Sequence, residues 1–309
     1  MTYVTDLKKQ IKLARQKGIE AWVRGEPGYP EELDILHDAP EVLFYRGEWK
    51  TGEKRIAVVG TRRASRAGTL SAKYFSEELA LAGVSIVSGL ARGIDTAAHE
   101  ACLKAGGRTI AVLGSGLLNI YPAENHKLAD RIVEQGGLVM SEFALKAEPE
   151  PFHFPLRNRI ISALSAGVLV VEAPKKSGAL ITADHAMEQG KEVFIVPGSV
   201  HSREAEGSNS FIKQGAACVT EPNDILFALG WKARPEPARR GARPQISDPV
   251  LLHLSVDEPI DVEELAVRSG SDVSGVLARL AAGEARGLVK RLASGGYVLS
   301  EGGTHAHSR

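Results

Sequence analysis

Short runs of apolar residues alternate regularly with longer amphipathic stretches between residues 53 and 230. The runs are rich in Val and Ile, which is typical of buried parallel strands, and the stretches between them have the length of helices. Parallel strands joined by helices imply right-handed crossovers. The pattern therefore predicts an α/β domain with an extended Rossmann-like, mostly parallel sheet of about seven strands. The strand candidates are RIAVV, VSIVS, TIAVLG, LVMSEF, VLVVE, EVFIVPG and ACVT.

The segments outside this domain have other patterns. Residues 1–52 contain one amphipathic stretch and a turn-rich strap, which predicts a short N-terminal segment rather than an independent domain. Residues 231–246 are rich in Pro and Arg and predict an extended linker. Residues 247–300 predict three short helices and a hairpin, an arrangement typical of a winged-helix domain, and residues 301–309 form a tail.

Composition limits the classes of partner and location. The 309 residues include 38 Lys plus Arg and 38 Asp plus Glu, so a polyanion can bind only at a local cationic patch. Cys102 and Cys218 lie in apolar segments, so we expect both to be buried in a protein of the reducing cytoplasm. No apolar run is long enough to span a membrane, and no His, Cys or acidic group has a recognisable metal-ligand spacing. We therefore expect a soluble protein without a metal.

Four turns at strand ends or helix starts combine small residues with cations. Because the carboxyl ends of parallel strands meet at one edge of a sheet, these turns can converge there. Arginine suits such a site, since its planar guanidinium can bind two phosphate oxygens. The repetition predicts a ligand with several phosphates. The candidate residues are Gly60, Thr61, Arg62 and Ser65, then Ser88, Gly89 and Arg92, then Arg157, Asn158 and Arg159, and finally Lys175, Ser177 and Gly178.

Several residues near these turns allow more than one interpretation. Arg63 is either a further phosphate contact or a solvated neighbour. Asp95 is expected to be the N-cap of the helix after the second turn. Phe152 and Phe154 either stack on unpaired bases or pack in the core beneath their loop. Asn158 either binds a phosphate or caps its helix. The helix after the first turn is expected to begin near residue 69.

The predicted winged helix has an unfavourable charge for binding duplex DNA. Residues 247–301 contain five basic and nine acidic residues, a net charge of minus four. A duplex-binding module needs cations that displace condensed counterions. We therefore expect this domain to contact protein or to support a dimer.

The blocks of the central domain, taken in order, resemble those of the DprA/Smf family of DNA-processing proteins. The resemblance is close over residues 27–230 and loose over residues 247–299. The matching blocks are VVGTRRAS, VSGLARGIDTAAHEACL, IAVLGSGLLNIYPAENHKLA, HFPLRNRIISALS, KSGALITADHAMEQGKEVFIVPGS and GSNSFIKQGA.

This resemblance implies a dimeric protein that binds single-stranded DNA without sequence preference. It also implies protection of incoming strands in natural transformation and loading of the RecA recombinase, with no catalytic activity and no cofactor. The family's phosphate-binding motif falls on Gly60, Thr61 and Arg62, followed by Ser65. Family members usually carry a longer helical domain before the Rossmann core than the 52 residues here, which leaves the role of that domain open.

Three other functions fit the motifs less well. A nucleotide phosphoribohydrolase of the lysine-decarboxylase-like type carries a PGGxGTxxE loop, and the comparable KSGALITAD lacks its double glycine and glutamate. A dinucleotide-dependent oxidoreductase needs G-x-G-x-x-G after its first strand, where this chain has GTRRAS. A winged-helix transcription regulator conflicts with the acidity of residues 247–301.

Overall fold

The structure is a computed structural model that describes residues 2–232, 248–256, 258–292 and 295–300. The chain divides into two compact units, Met1–Ala233 and Arg234–Arg309. Nearly all of the predicted linker and the whole tail lie outside the described residues. The finer domain boundaries stay predictions.

The first unit is built on one nine-stranded sheet. All seven strand candidates belong to it, as β3 to β9, and these seven strands run parallel to one another. The predicted α/β class with a mostly parallel, Rossmann-like sheet is thereby confirmed. The strands are β1 (Glu20–Val23), β2 (Val42–Gly47), β3 (Arg55–Val59), β4 (Ser85–Ser88), β5 (Thr109–Val112), β6 (Leu138–Ser141), β7 (Gly167–Val170), β8 (Glu192–Ile195) and β9 (Ala217–Cys218).

The order of the strands creates a reversal beside β3. Across the sheet the order is β1-β2-β6-β5-β4-β3-β7-β8-β9, so the chain builds outward from β3 to β6 and then returns to place β7 on the other side of β3. Ligands of doubly wound sheets bind outside the carboxyl ends of the strands at such a switch point. The helices described in this unit are α1 (Thr2–Gln16), α2 (Arg66–Leu81), α3 (Ile94–Lys104), α4 (His126–Glu134), α5 (His153–Ala163), α6 (Gly178–Glu188), α7 (Glu206–Lys213) and α8 (Pro222–Ala228).

Both faces of the sheet are covered, and the core lies on either side of it. Ile56 and Val58 of β3 belong to the hydrophobic cluster that includes α2 and α3, whereas Ala57 and Val59 belong to the cluster that includes α5 and α6. Each fully buried aliphatic side chain contributes about 1.5–3 kcal/mol of hydrophobic free energy. With its faces covered, the sheet exposes its carboxyl edge to ligands.

The N-terminal strap predicted from sequence is instead part of the sheet. β1 pairs with β2, and β2 pairs with β6, both antiparallel. Glu32 accepts a hydrogen bond from Arg55 at 2.6 Å, which ties the segment between β1 and β2 to β3. The alternation of apolar and polar residues that marks a strand is weak in β1, because only Trp22 of its four residues is buried.

Two smaller predictions were wrong. Helix α2 begins at Arg66 rather than near residue 69, because the Ser65 hydroxyl accepts a hydrogen bond from Gly68 N at 2.9 Å and caps the helix. Cys102 is buried as expected, but Cys218 is exposed, since it lies in the two-residue strand at the open edge of the sheet.

Within the described residues, no helix has the length and apolar character to cross a membrane, and no group of three potential metal ligands occurs.

The described part of the second unit contains two helices and a small sheet. A 3₁₀ turn at Leu251–His253 precedes α9 (Val262–Ser269) and α10 (Val273–Ala285), and β10 (Val289–Arg291) pairs antiparallel with β11 (Tyr297–Leu299). The elements follow the expected order, although the first expected helix is only this 3₁₀ turn. The unit has its own hydrophobic cluster. Its assignment as a winged helix stays a prediction.

A histidine is buried without charge between α3 and the sheet. His99 Nδ1 lies 2.7 Å from the Thr109 hydroxyl oxygen, and that hydroxyl donates to Ile86 O at 2.7 Å, so the ring Nδ1–H is the donor to Thr109. Burial lowers the pKa of His99 to about 3. The folded protein therefore keeps this ring neutral at pH values where an unfolded histidine becomes protonated.

We expect His99 to make the protein sensitive to acid. Below pH 6.5 the unfolded state binds a proton at this ring and the folded state does not, so stability is lost as the pH falls. Between pH 7 and pH 5 the free energy of unfolding should fall by about 2 kcal/mol from this group alone. Urea unfolding of His99→Gln should show a correspondingly smaller fall, while the exposed His201→Gln should behave as wild type. If the free energy of unfolding depended on pH equally in wild type and His99→Gln, His99 would not be the cause of the acid sensitivity.

Candidate functional site

The turn between β3 and α2 lies at the switch point and is fixed by its neighbours. A Cβ on Gly60 would lie 2.5 Å from Ile94 Cγ1, so only glycine fits there. Thr61 N donates to Glu172 O at 2.7 Å, and Ile94 N donates to Thr61 O at 3.2 Å. These bonds hold the turn against the end of β7 and the start of α3. The Arg62 side chain is left exposed.

A carboxylate of the protein occupies the start of α2. Glu172 Oε2 accepts a hydrogen bond from Ser65 N at 2.8 Å, and its Oε1 accepts one from the Ser65 hydroxyl at 2.7 Å. A Cβ on Gly68 would lie 2.3 Å from Glu172 Oε2, so glycine permits this close approach. A helix start attracts anions through its free N–H groups and its dipole. Here Glu172 satisfies that attraction from within the protein.

Cations and aromatic rings meet beside this turn. The Arg62 guanidinium lies 4.6 Å from the centroid of the Phe154 ring, and the Tyr121 ring lies 5.8 Å from the same ring. Arg92 lies 5.9 Å from the Tyr121 centroid. Phe152, at the start of α5, is 65% exposed. Arg62, Tyr121 and Phe154 form a partly exposed surface over the carboxyl edge, which we call the ring cluster. The Phe152 ring instead contacts the His153 ring.

Two predicted cations at this edge are paired with exposed carboxylates. Arg92 Nη2 donates to Glu124 Oε2 at 3.0 Å, and Lys175 lies 2.5 Å from Glu206. Exposed ion pairs of this kind contribute little free energy, so an incoming phosphate can replace the carboxylate. Lys176, next in the chain, is exposed and has no ion pair with any carboxylate that the structure describes.

Arg157 is buried rather than exposed. Its Nη1 donates to Gly89 O at 2.8 Å and also to Val112 O, and its Nε donates to Asn158 Oδ1 at 3.2 Å. Burial lowers the pKa of Arg157 to about 10, which keeps it charged at neutral pH. The guanidinium therefore links the carboxyl ends of β4 and β5 to α5, beneath the surface.

Asp95 is not the N-cap of α3, so that prediction was wrong. Gly93 is the N-cap residue, and Asp95 lies within the first turn of the helix. Its buried carboxylate accepts hydrogen bonds from Gly89 N at 3.0 Å and Ala91 N at 3.4 Å, and burial raises its pKa. Between these amides Leu90 has φ +57°, a left-handed conformation that costs about 1–3 kcal/mol outside glycine. Asp95 thus holds the second turn in a strained shape.

The remaining third-turn candidates also form internal contacts. Arg159 donates to Glu142 Oε2 at 2.7 Å and to Asp38 Oδ2 at 2.9 Å. Asn158 Nδ2 donates to Gly178 O at 3.0 Å, so Asn158 joins α5 to the start of α6. It caps no helix. Ser177 caps α6, where its hydroxyl accepts from Ala179 N at 3.3 Å.

The predicted site residues therefore separate into two sets. One set presents side chains or backbone at the exposed edge, and the other lies beneath it. Sequence reasoning missed Tyr121 and Glu172: the tyrosine stands in a turn without cations, and the glutamate appears only as the polar end of an apolar strand. The exposed set is Arg62, Arg92, Lys175 and Gly178, with Ser65 and Ser177 half-buried, and the buried set is Thr61, Ser88, Gly89, Arg157, Asn158 and Arg159, with Gly60 enclosed at the turn.

Comparison with known proteins finds a family model and similar proteins that agree with one another. The family model described as DNA recombination-mediator protein A matches residues 20–230. Protein Smf of Escherichia coli (strain K12) is 44% identical over 280 residues, which cover 87% of this chain and 74% of that protein. DNA processing protein DprA of Streptococcus pneumoniae is 46% identical over 199 residues, covering 64% of this chain and 70% of that protein.

Solved structures agree with these relatives. The X-ray structure of DNA processing protein A from Streptococcus pneumoniae has a TM-score of 0.67 and 40% identity, covering 74% of this chain and 78% of that one. The structure of DNA processing protein A from Helicobacter pylori, reported for its single-stranded DNA binding mode, has a TM-score of 0.62 and 31% identity. It covers 68% of this chain and 95% of that one.

Proposed function

Because the chain belongs to the DNA recombination-mediator protein A family, we propose that it binds single-stranded DNA at the carboxyl edge of its sheet. The ring cluster carries this proposal. Rings such as Phe154 offer stacking surfaces for unpaired bases, and the neighbouring Arg62 offers a phosphate contact. The name under which the Helicobacter pylori structure was reported supports the same ligand. The activity is one of binding and needs no catalytic residue.

We assign the predicted site residues two roles in this binding. Arg62, Arg92 and Lys175 contact phosphates directly, the latter two after exchanging their carboxylate partners. Phosphate contacts and stacking do not read base edges, which supports binding without sequence preference. Ser65, Ser177 and Gly178 line the same edge, and the residues that support it from beneath are Gly60, Thr61, Ser88, Gly89, Arg157, Asn158 and Arg159.

A comparison of oligo-dT with a duplex of equal length tests this function. Gel shifts over a series of salt concentrations should show that oligo-dT binds much more tightly, because paired bases cannot stack on protein rings. The logarithm of the affinity should fall with the logarithm of salt, by about 0.7 for each phosphate contact. Equal affinity for duplex and single strand would contradict the stacking of unpaired bases on the ring cluster.

We further propose that the protein acts as a homodimer that protects strands and delivers them to RecA in natural transformation. The support is family membership, together with an edge whose several phosphate contacts can follow a flexible backbone. Pairing two such edges would raise avidity without new contacts. Adding the protein to RecA, ATP and strands coated with single-strand-binding protein should accelerate filament formation. If the rate of filament formation did not change, the proposed delivery to RecA would be wrong, while the proposed strand binding would still stand.

We propose that the second unit is a winged helix that contacts protein rather than DNA. Its described helices and hairpin support the fold, and its net negative charge disfavours a phosphate backbone. We expect a chain ending at Lys232 to bind oligo-dT within a few-fold of the full chain. The measurement is a side-by-side titration of both chains at the same salt. A loss of more than about tenfold, or roughly 1.4 kcal/mol, would place the main site after Lys232.

A further inference from the structure

Helix α1 carries a row of exposed cations. Lys8, Lys12 and Arg15 follow one another at intervals of four and three residues, which places them on one face of the helix. All three are exposed, and none forms an ion pair with a carboxylate whose side chain the structure describes. They line a groove together with Ile11 and Gln16. In a chain of zero net charge, this row is a local concentration of positive charge.

The opposite side of α1 is fixed to the carboxyl edge of the sheet. Ala14 is buried in a hydrophobic cluster that also contains Leu117, Ile120 and Leu145, which lie in the loops after β5 and β6. Gln10 Oε1 accepts a hydrogen bond from Leu145 N at 3.2 Å. The helix is therefore held beside the loops that leave this edge.

These loops connect α1 to the ring cluster. Ile120 directly precedes Tyr121, so the segment that packs against α1 also supplies a ring of the cluster. Lys146 follows Leu145, is exposed and has no ion pair among the described side chains. The loop that bonds to α1 thus also carries an exposed cation.

We propose that Lys8, Lys12, Arg15 and Lys146 form a second phosphate-binding surface, which takes the continuation of the strand bound at the ring cluster. The inference rests on the proposed single-strand binding and extends its track. From β3 to β6 the edge crosses three strand spacings of about 4.8 Å each, so only a strand longer than the segment at Arg62 can reach α1. A flexible single strand can follow such a path over the loops, whereas a stiff duplex resists bending.

The test compares short and long oligo-dT on the full chain with the variant Lys8→Gln/Lys12→Gln/Arg15→Gln. Glutamine retains good helix propensity, so α1 should persist. Affinity for an oligonucleotide of about 30 nucleotides should fall at least about tenfold at low salt, and its salt slope should flatten by about 2. Affinity for one of about 3 nucleotides should not change, since at about 3.4 Å per nucleotide it is shorter than the distance from β3 to β6.

The matched control removes the same charge at the opposite edge. Lys104, Arg131 and Lys213 are exposed near the C-terminal ends of α3, α4 and α7, so Lys104→Gln/Arg131→Gln/Lys213→Gln should bind both lengths as wild type does. If the α1 variant lost equal affinity for both lengths, the cations would act only through general electrostatic attraction, and the proposed second surface would be wrong. No loss on the long strand would also overturn it. Loss of binding to vesicles of phosphatidylcholine and phosphatidylserine, with long-strand binding retained, would assign α1 to a membrane surface instead.

Failure of this inference is distinguishable from failure of the proposed function. If wild type does not bind the short oligonucleotide, single-strand binding at the ring cluster is wrong. If it binds the short oligonucleotide and the α1 variant binds the long one normally, only the extension is wrong. Thermal unfolding of all three proteins should give equal midpoints, since the replaced side chains are exposed.

Discussion

Replacing Arg62 and Phe154 together by alanine should weaken oligo-dT binding by about 2–4 kcal/mol, or roughly 30-fold to 1,000-fold. Stacking on a protein ring contributes about 1–3 kcal/mol per base, and the guanidinium adds a phosphate contact. Because Arg62 lies 4.6 Å over the Phe154 ring, the two losses should not be additive. Titrations of the two single variants and the double variant would measure this coupling.

The single variants should differ in salt dependence. Arg62→Ala should flatten the slope of log affinity against log salt by about 0.7, whereas Phe154→Ala should lower affinity with an unchanged slope. Phe227→Ala is the matched ring control, since Phe227 on α8 is 86% exposed and lies outside the ring cluster. Arg131→Ala, on the exposed end of α4, is the matched cation control. An effect of the controls as large as that of the ring cluster would contradict a local site.

Arg157→Met should destabilise the folded protein by about 3–5 kcal/mol, because it removes one partner from a buried charged network. The carbonyl groups of Gly89 and Val112 would lose their donor, and the buried Asp95 carboxylate would lose a nearby positive charge. The free energy of unfolding in urea measures this loss. Arg46→Met, which removes a half-exposed ion pair with Asp130, should cost less than about 1 kcal/mol.

The same position separates a supporting role from direct DNA contact. Arg157→Lys keeps a charged donor and should retain more stability than Arg157→Met, with the wild-type salt slope for oligo-dT. If Arg157→Met instead left stability unchanged and flattened the slope by about 0.7, the guanidinium would contact a phosphate and the buried position would not describe the bound protein.

The parallel part of the fold was predictable because its signal is local. Runs such as RIAVV and VLVVE are buried on both faces of the sheet and therefore read as continuous apolar segments. The turn residues at their ends follow from the same pattern, which is why Arg62 and Lys175 could be placed at one edge. β1 was missed because a four-residue strand with one buried side chain carries little periodicity. β2 has three buried residues in succession, but it lies in the segment that was interpreted as a turn-rich strap.

The chemistry beneath the site was not predictable in the same way. Arg62 follows Gly60 and Thr61, and Arg157 follows Pro155 and Leu156. Nothing in either local sequence distinguishes a guanidinium that faces solvent from one that faces backbone carbonyls. The difference arises because α5 crosses under the ends of β4 and β5 and places Arg157 against Gly89 and Val112. Likewise Glu172 meets Ser65 across 107 residues of chain, a contact that only the strand order creates.

The Glu172 carboxylate at the start of α2 also bears on competition inside a cell. Mononucleotides and coenzymes bind Rossmann folds by placing a diphosphate on that helix start. In this protein a covalently tethered anion already holds the position, at an effective concentration that free nucleotides cannot match. A free nucleotide such as ATP or NAD would have to displace this carboxylate to bind at the helix start, whereas a ligand that repeats the same phosphate many times can gain its affinity along the edge outside it.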